Sequence, residues 1–340
     1  MTPPDRFLDA AAVTAWINED PDPATREELT ALLTAHEAGD DEAAAALTDA
    51  FSDTLTLGAD GLRGPLGAGP NRMNRAVVIR AAAGLAAYLR ETLGEGFTVV
   101  IGYDARRHSG VFARDTASVI TGAGGRAVLF DRPCPTPTLA FALRRLEADA
   151  AVMVAASHTP PQINGFTIYL GGRAVTGPEI APPYESAIAE RIEAVGDPAG
   201  IAGIPEIPGI PMPDSGWETL GEEIIEDYTA TAAKAARMRA AAPLKIVLTA
   251  LHGVGGRICR DALGRVGLDV IVVPEQFDAD PGFPTVASPD PEEAGTLDLP
   301  LAQARDADAD LVIAIDPDAG CCCAAIPDEH VTGGWRRLTG

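Results

Sequence analysis

The stretch FTVVIGYDARRHSGVFARDTASVITGAGGRAVLFD (residues 97–131) decides the fold class. Phe97–Asp104 and Arg126–Asp131 are short runs rich in β-branched and apolar residues, which read as strands. The segment Gly110–Gly122 between them reads as a helix. A strand, a helix and a strand in that order form a βαβ unit with parallel pairing. The pattern continues outward. A helix is expected over 74–94, another over TPTLAFALRRLEA (136–148), and a strand over DAAVMVAAS (149–157). Residues 5–52 read as helices that precede the first unit, with a turn at Asp20-Pro21-Asp22-Pro23. Residues 197–216 are rich in Pro and Gly without a period, which marks a linker. A second α/β pattern follows: a helix near 218–241, strand LKIVLTA (244–250), a helix near 255–266, strand DVIVVP (269–274), a helix near 297–306 and strand ADLVIAID (309–316). The reading is two α/β domains with mixed, mostly parallel sheets behind a helical extension. GGWRRLTG (333–340) follows the last strand, and Trp335 and Leu338 are expected to lack a packing partner.

The chain has 340 residues, enough for two cores. Its net charge of -23 argues against nucleic acid or an anionic membrane as partner, since both need clustered Lys and Arg. No run reaches the roughly 20 apolar residues of a membrane span. The N-terminus has no basic start followed by an apolar segment, so a cytoplasmic protein is expected. Five cysteines, three of them adjacent (Cys321, Cys322 and Cys323), do not form a secreted disulfide framework. The adjacent three are expected to be small core residues.

Three loops at expected strand ends carry chemistry, because ligands of open α/β sheets sit at the carboxyl ends of strands. Ser157-His158 follows a strand and is stiffened by Pro160 and Pro161. It reads either as a polar turn or as a serine that carries a phosphoryl group. No G-x-S-x-G elbow surrounds it, which disfavours a hydrolase triad. Asp316 and Asp318, directed by Pro317, suit a hard cation or form an ordinary Asp-Pro turn. GADGLRGPLGAGPNRMNR (58–75) holds Arg63, Arg72 and Arg75 among glycines, an arrangement that suits an anionic ligand. Arg106 and Arg107 add charge at another strand end. The HGVGG run (252–256) fails the dinucleotide fingerprint, because the third glycine position is Ile258.

As a set these loops resemble the α-D-phosphohexomutase superfamily, the phosphoglucomutases and phosphomannomutases. GADGLRG resembles that family's N-terminal glycine-rich loop, AASHTPPQINGF its phosphoserine loop and DPDAGC its metal loop. The helical extension, GPNRMN, PTVASPDPEEAGTLDL and GGWRRLTG look most like the phosphoglucomutase and phosphopentomutase branch. The resemblance implies an extension over 1–55, domain I with the phosphoserine loop over 56–205, domain II with the metal loop over 206–325, and the start of a third domain over 326–340. It implies an intramolecular phosphotransferase that interconverts sugar 1- and 6-phosphates, or pentose 1- and 5-phosphates. Ser157, His158 and Arg63 would be catalytic. Arg63, Arg72, Arg106 and His252 would bind phosphate, and Ser157, Asp316 and Asp318 would hold Mg2+. Three positions depart from the pattern: Gly320 replaces a metal aspartate, Cys321 an arginine and Thr167 a lysine. They imply impaired turnover, or a non-catalytic phosphosugar-binding remnant. The chain stops where a third domain would begin, which implies a complementing C-terminal chain.

Overall fold

The computed structural model describes residues 9–174, 184–195, 213–235 and 244–338. Three helices come first: α1 (Ala10–Glu19), α2 (Pro23–Glu37) and α3 (Asp41–Ala50). Each starts on an aspartate, Asp9, Asp22 or Asp40, whose carboxylate accepts from backbone N–H groups of the first turn. Their apolar faces point inward: Leu29 and Leu47 are fully buried, each worth about 1.5–3 kcal/mol. They share one core with α4 (Arg75–Leu93), a helix buried almost all round.

The first sheet contains β1 (Leu62–Pro65), β2 (Thr98–Tyr103), β3 (Arg126–Phe130), β4 (Ala150–Val154), β5 (Ile163–Leu170) and β6 (Glu218–Leu220), in the order β1-β5-β4-β2-β3-β6. β4, β2, β3 and β6 run parallel; β5 pairs antiparallel with both β4 and β1. The helices between these strands are α5 (Ser109–Gly122), α6 (Thr136–Arg145) and α7 (Tyr184–Ala194). The period-2 alternation of the strands sorts their side chains into two cores. Val99, Ile101, Val152 and Val154 face α4 and α5, while Val100, Ala151 and Met153 face α6.

The second sheet contains β7 (Lys245–Thr249), β8 (Asp269–Val272), β9 (Leu311–Ile315), β10 (Cys322–Pro327) and β11 (Trp335–Leu338), in the order β11-β10-β9-β7-β8. β9, β7 and β8 are parallel, and β10 and β11 add an antiparallel edge. α9 (Gly256–Arg265), α10 (Pro274–Phe277) and α11 (Asp298–Asp306) accompany this sheet, and α8 (Glu222–Ala235) precedes it, packed between α6 and α9.

Four expectations need correction or limits. Residues 218–220, read as helix, are the strand β6, which pairs with β3 through Val128, Leu129 and Phe130. Trp335 does not lack a partner: β11 pairs with β10, and the half-buried indole packs against the second sheet's buried cluster, which includes Val312, Ala304 and Ala325; Leu338 does remain exposed. Of the three adjacent cysteines only Cys323 is buried, because β10 begins at Cys322 and turns alternate side chains to the core. The expected linker lies outside the described residues as far as 212, as does the end of the helix expected to reach 241.

α7 packs tightly on α4 at Gly84, where an added Cβ would lie 2.4 Å from Cγ1 and 2.6 Å from N of Ile192. Gly84→Ala is expected to force the helices apart and to destabilise the chain by about 1–3 kcal/mol. Gly264→Ala, in α9 with nothing within 4 Å, is expected to stabilise it by roughly 0.5–1 kcal/mol. Urea unfolding of both variants beside the parent chain checks the contrast.

Candidate active site

The carboxyl ends of β2, β4 and β9 converge on one cluster. β4 ends at Val154 and hands the chain to Ala155-Ala156-Ser157. Ser157 takes a left-handed backbone conformation, φ 49°, which costs a non-glycine residue about 1–3 kcal/mol. Arg106 offsets this strain. Its Nη2 donates to the carbonyls of Ser157 (2.7 Å) and Thr159 (2.6 Å), and its Nη1 to those of Pro160 (2.8 Å) and Ile163 (3.2 Å). The guanidinium is buried, pairs with Asp104 (Nε–Oδ2 3.4 Å) and lies 4.9 Å from the ring centre of Phe283. Asp104 also accepts from the Arg106 N–H and the Ser109 hydroxyl; burial nevertheless pushes its carboxyl up to about 6. Asn164, fully buried, donates to the Arg107 carbonyl and to Ser109 Oγ, tying the far end of the loop to the same support.

The second sheet meets this loop directly. Ser157 Oγ donates to Asp316 Oδ2 at 2.5 Å and lies 3.2 Å from His158 Nδ1. Asp316 Oδ1 accepts the Cys321 N–H at 2.7 Å. Asp318 Oδ2 accepts the Thr136 hydroxyl at 2.6 Å, and its carbonyl accepts the Thr136 N–H at 2.8 Å. Asp318 Oδ1 is buried with no hydrogen-bond partner among the described residues. Burial, followed by the charge of Asp318, pushes the Asp316 carboxyl up to about 7. Two buried carboxylates with an unsatisfied oxygen form a site that fits a hard divalent cation.

The remaining sequence candidates divide by surroundings. Arg63 is exposed on β1 opposite Gly165, with no hydrogen bond or ion pair among the described residues. Arg106 is not free to hold phosphate, because its two terminal nitrogens are taken by loop carbonyls. Arg72 is paired with Asp49 of α3, and Arg75 forms a bidentate pair with Asp115. These two arginines of the glycine-rich loop anchor helices instead of facing a ligand. His252, at the end of β7, is buried against Thr285 Oγ1 (2.8 Å), and burial lowers its pKa. The HGVGG glycines serve contact between loops: an added Cβ on Gly253 would lie 2.4 Å from Pro317 Cα. Thr136 and Phe283 were not evident from sequence. The signal for Thr136 was a threonine opening a helix at a strand's carboxyl end.

Comparison with known proteins places the chain in one family. The family model described as "Phosphoglucomutase/phosphomannomutase, alpha/beta/alpha domain I" matches residues 54–198, and the model for domain II matches 226–329. The chain belongs to the α-D-phosphohexomutase superfamily, of which it contains domains I and II. It is 42% identical over 269 residues to the "Probable phosphomannomutase" of Haemophilus influenzae, covering 79% of this chain and 53% of that protein. It is 34% identical over 345 residues to the phosphoribomutase of Saccharomyces cerevisiae, covering 96% and 53%. A Thermus thermophilus crystal structure assigned as a phosphomannomutase superposes with a TM-score of 0.65 at 26% identity, over 83% of this chain and 58% of that one. The chain thus spans about half the length of the curated relatives it matches. No helix among the described residues is long and apolar enough to cross a membrane.

Arg106→Ala leaves four carbonyls without their side-chain donor and the buried Asp104 without its counter-charge, and is expected to cost about 3–5 kcal/mol of stability. Arg107→Ala, on an exposed neighbour, is expected to stay within about 0.5 kcal/mol of the parent. Guanidinium unfolding of the pair measures the difference.

Proposed function

We propose that this chain carries the phosphoryl-transfer half of a sugar-phosphate mutase, with Ser157 as the phosphoryl carrier. The observation that carries the reading is the 2.5 Å contact between Ser157 Oγ and Asp316, which joins the serine loop of one domain to the acidic loop of the other. Arg106 fixes the serine so that its hydroxyl faces the carboxylates and not the sheet.

Phosphoserine 157 gives its phosphoryl group to a hydroxyl of a sugar monophosphate, breaking the Oγ–P bond and forming an O–P bond on the sugar, while the proton of that hydroxyl passes to Ser157 Oγ. The bisphosphate then returns its other phosphoryl group to Ser157 Oγ, and His158 Nδ1, 3.2 Å away, takes the serine proton and passes it to the sugar oxygen left behind. Arg63 is left available to hold a phosphate of the sugar. Asp316, Asp318 and the phosphoserine would hold Mg2+, which neutralises charge on the transferred group. Hexose and pentose phosphates both suit this chemistry.

Two residues lower the expected rate. Thr167 has neither the charge nor the basicity of the lysine it replaces. Gly320 leaves two carboxylates where the family pattern has three. Together they support the second reading, a chain that binds phosphosugars with little turnover. A serine hydrolase is less well supported, since no carboxylate bonds the His158 ring among the described residues.

Calorimetry with Mg2+ is expected to show binding by the chain phosphorylated at Ser157 and little by the dephosphorylated chain. The Cβ of a residue at 320 would lie 3.5 Å from Asp318 Oδ1 without overlap, so a carboxylate fits there. Gly320→Asp is expected to tighten Mg2+ binding by roughly tenfold, because it adds one hard oxygen ligand; Thr167→Lys is expected to leave it unchanged. Ser157→Ala should take up no phosphoryl group from a sugar bisphosphate, read by intact mass. Equal Mg2+ affinity in the two phosphorylation states would overturn the reading.

A further inference from the structure

Cys321 begins a second story at the same junction. The turn from Asp316 to Cys321 closes on itself, as the Cys321 N–H donates to Asp316 Oδ1. This closure brings the exposed Cys321 thiol beside the buried carboxylate. His158 approaches from the serine loop, its carbonyl accepting from Ser288 and its ring nitrogen beside Ser157. A ring nitrogen of His158, a carboxylate oxygen of Asp316 and Sγ of Cys321 all lie within 4.8 Å of one another. The Cys321 thiol has no hydrogen bond among the described residues.

We infer that His158, Asp316 and Cys321 form a binding site for a borderline-soft divalent cation, Zn2+ or Co2+, which overlaps the all-oxygen Mg2+ set at Asp316 and differs from it in its other ligands. Imidazole, thiolate and carboxylate together select such ions, whereas Mg2+ takes oxygen ligands alone. Zinc bonds of about 2.0–2.3 Å place tetrahedral ligand atoms roughly 3.6 Å apart. Side-chain rotation of the exposed Cys321 and the half-buried His158 by about 1 Å closes that gap. Three protein ligands leave a fourth position open, which water or a phosphate oxygen can fill. Binding replaces the thiol proton with the metal, and that proton leaves to solvent.

The site shares Asp316 with the proposed Mg2+ set but not Asp318. On the mutase reading, which this consequence alone rests on, a soft cation held here takes Asp316 from Mg2+ and the hydrogen bond from Ser157.

Equilibrium binding tests the site without any turnover. The dephosphorylated full-length chain is titrated with Co2+, and the absorption band of a cobalt–thiolate bond is followed; Zn2+ is then added to displace it. The expected result is one equivalent of Co2+ with a thiolate band that Zn2+ removes. Cys321→Ser should abolish the band and weaken Zn2+ binding by roughly tenfold or more, and His158→Gln should weaken it. Cys322→Ser, which changes the neighbouring exposed thiol, and Asp318→Asn, which belongs to the Mg2+ set alone, should both retain the band. A band that survives Cys321→Ser, one lost in Cys322→Ser, or no band at all overturns the assignment. A band kept by Asp318→Asn while Mg2+ binding to the phosphorylated chain is never seen would leave this site standing and remove the mutase reading.

Discussion

The buried guanidinium of Arg106 is the interaction on which the site depends. A left-handed serine at a strand end is unfavourable alone, and the four carbonyls that surround it cannot satisfy one another. One cation supplies all four with donors, and Asp104 balances its charge. The loop is thereby a product of β2 as much as of β4, because the clamp comes from the neighbouring parallel strand. Strain recurs at the other two loops of the cluster, where His252 and Ala319 also have positive φ. Other positive-φ residues, such as Glu147 and Asp308, lie just past helix ends, whereas Ser157, His252 and Ala319 lie on loops beyond strand ends.

Much of this organisation was legible in the sequence. Strands such as FTVVIGYD and RAVLFD carry β-branched residues over lengths that only a buried strand explains, and both sit where expected. The serine and acidic loops were legible for the same reason: each follows a strong strand and contains prolines that stop its continuation. The exceptions are physical. β6 has only three residues, two of them exposed, so its sequence carries no strand pattern; pairing with β3 alone defines it. Arginine could be recognised as an anion ligand, but not which anion it holds. Arg63 faces outward, whereas Arg72, Arg75 and Arg106 are consumed by Asp49, Asp115 and backbone carbonyls that lie 23, 40 and more than 50 positions away. Trp335 finds a partner because it lies on β11, whose pairing with β10 turns the indole onto the second sheet's buried cluster, a pairing that GGWRRLTG does not announce.

At the serine and acidic loops the contacts between the two sheets are polar. Thr136 reads Asp318 twice, through its N–H and its hydroxyl, and Ser157 reads Asp316. These contacts are directional, so they fix the distance between the two loops more sharply than apolar packing would. The carboxylates they hold are the same groups that burial makes reluctant to ionise. A cation bound at this point, as proposed above, would therefore act on the contact between the two loops as well.

α8 gives the joint a further property. It follows the Pro-rich stretch in the chain, yet Ile224 and Ile225 pack on the first sheet's outer core, with Ile258 of α9 against the same cluster. Glu222 reaches Arg132 on one side and Arg257 on the other, while β6 just before it is stitched to β3. The covalent path from α7 to β6 is thus not what keeps the halves of the molecule together. A chain severed between residues 196 and 212 would retain β6 and α8 as a docked wedge, and two fragments made separately have the surfaces needed to find each other.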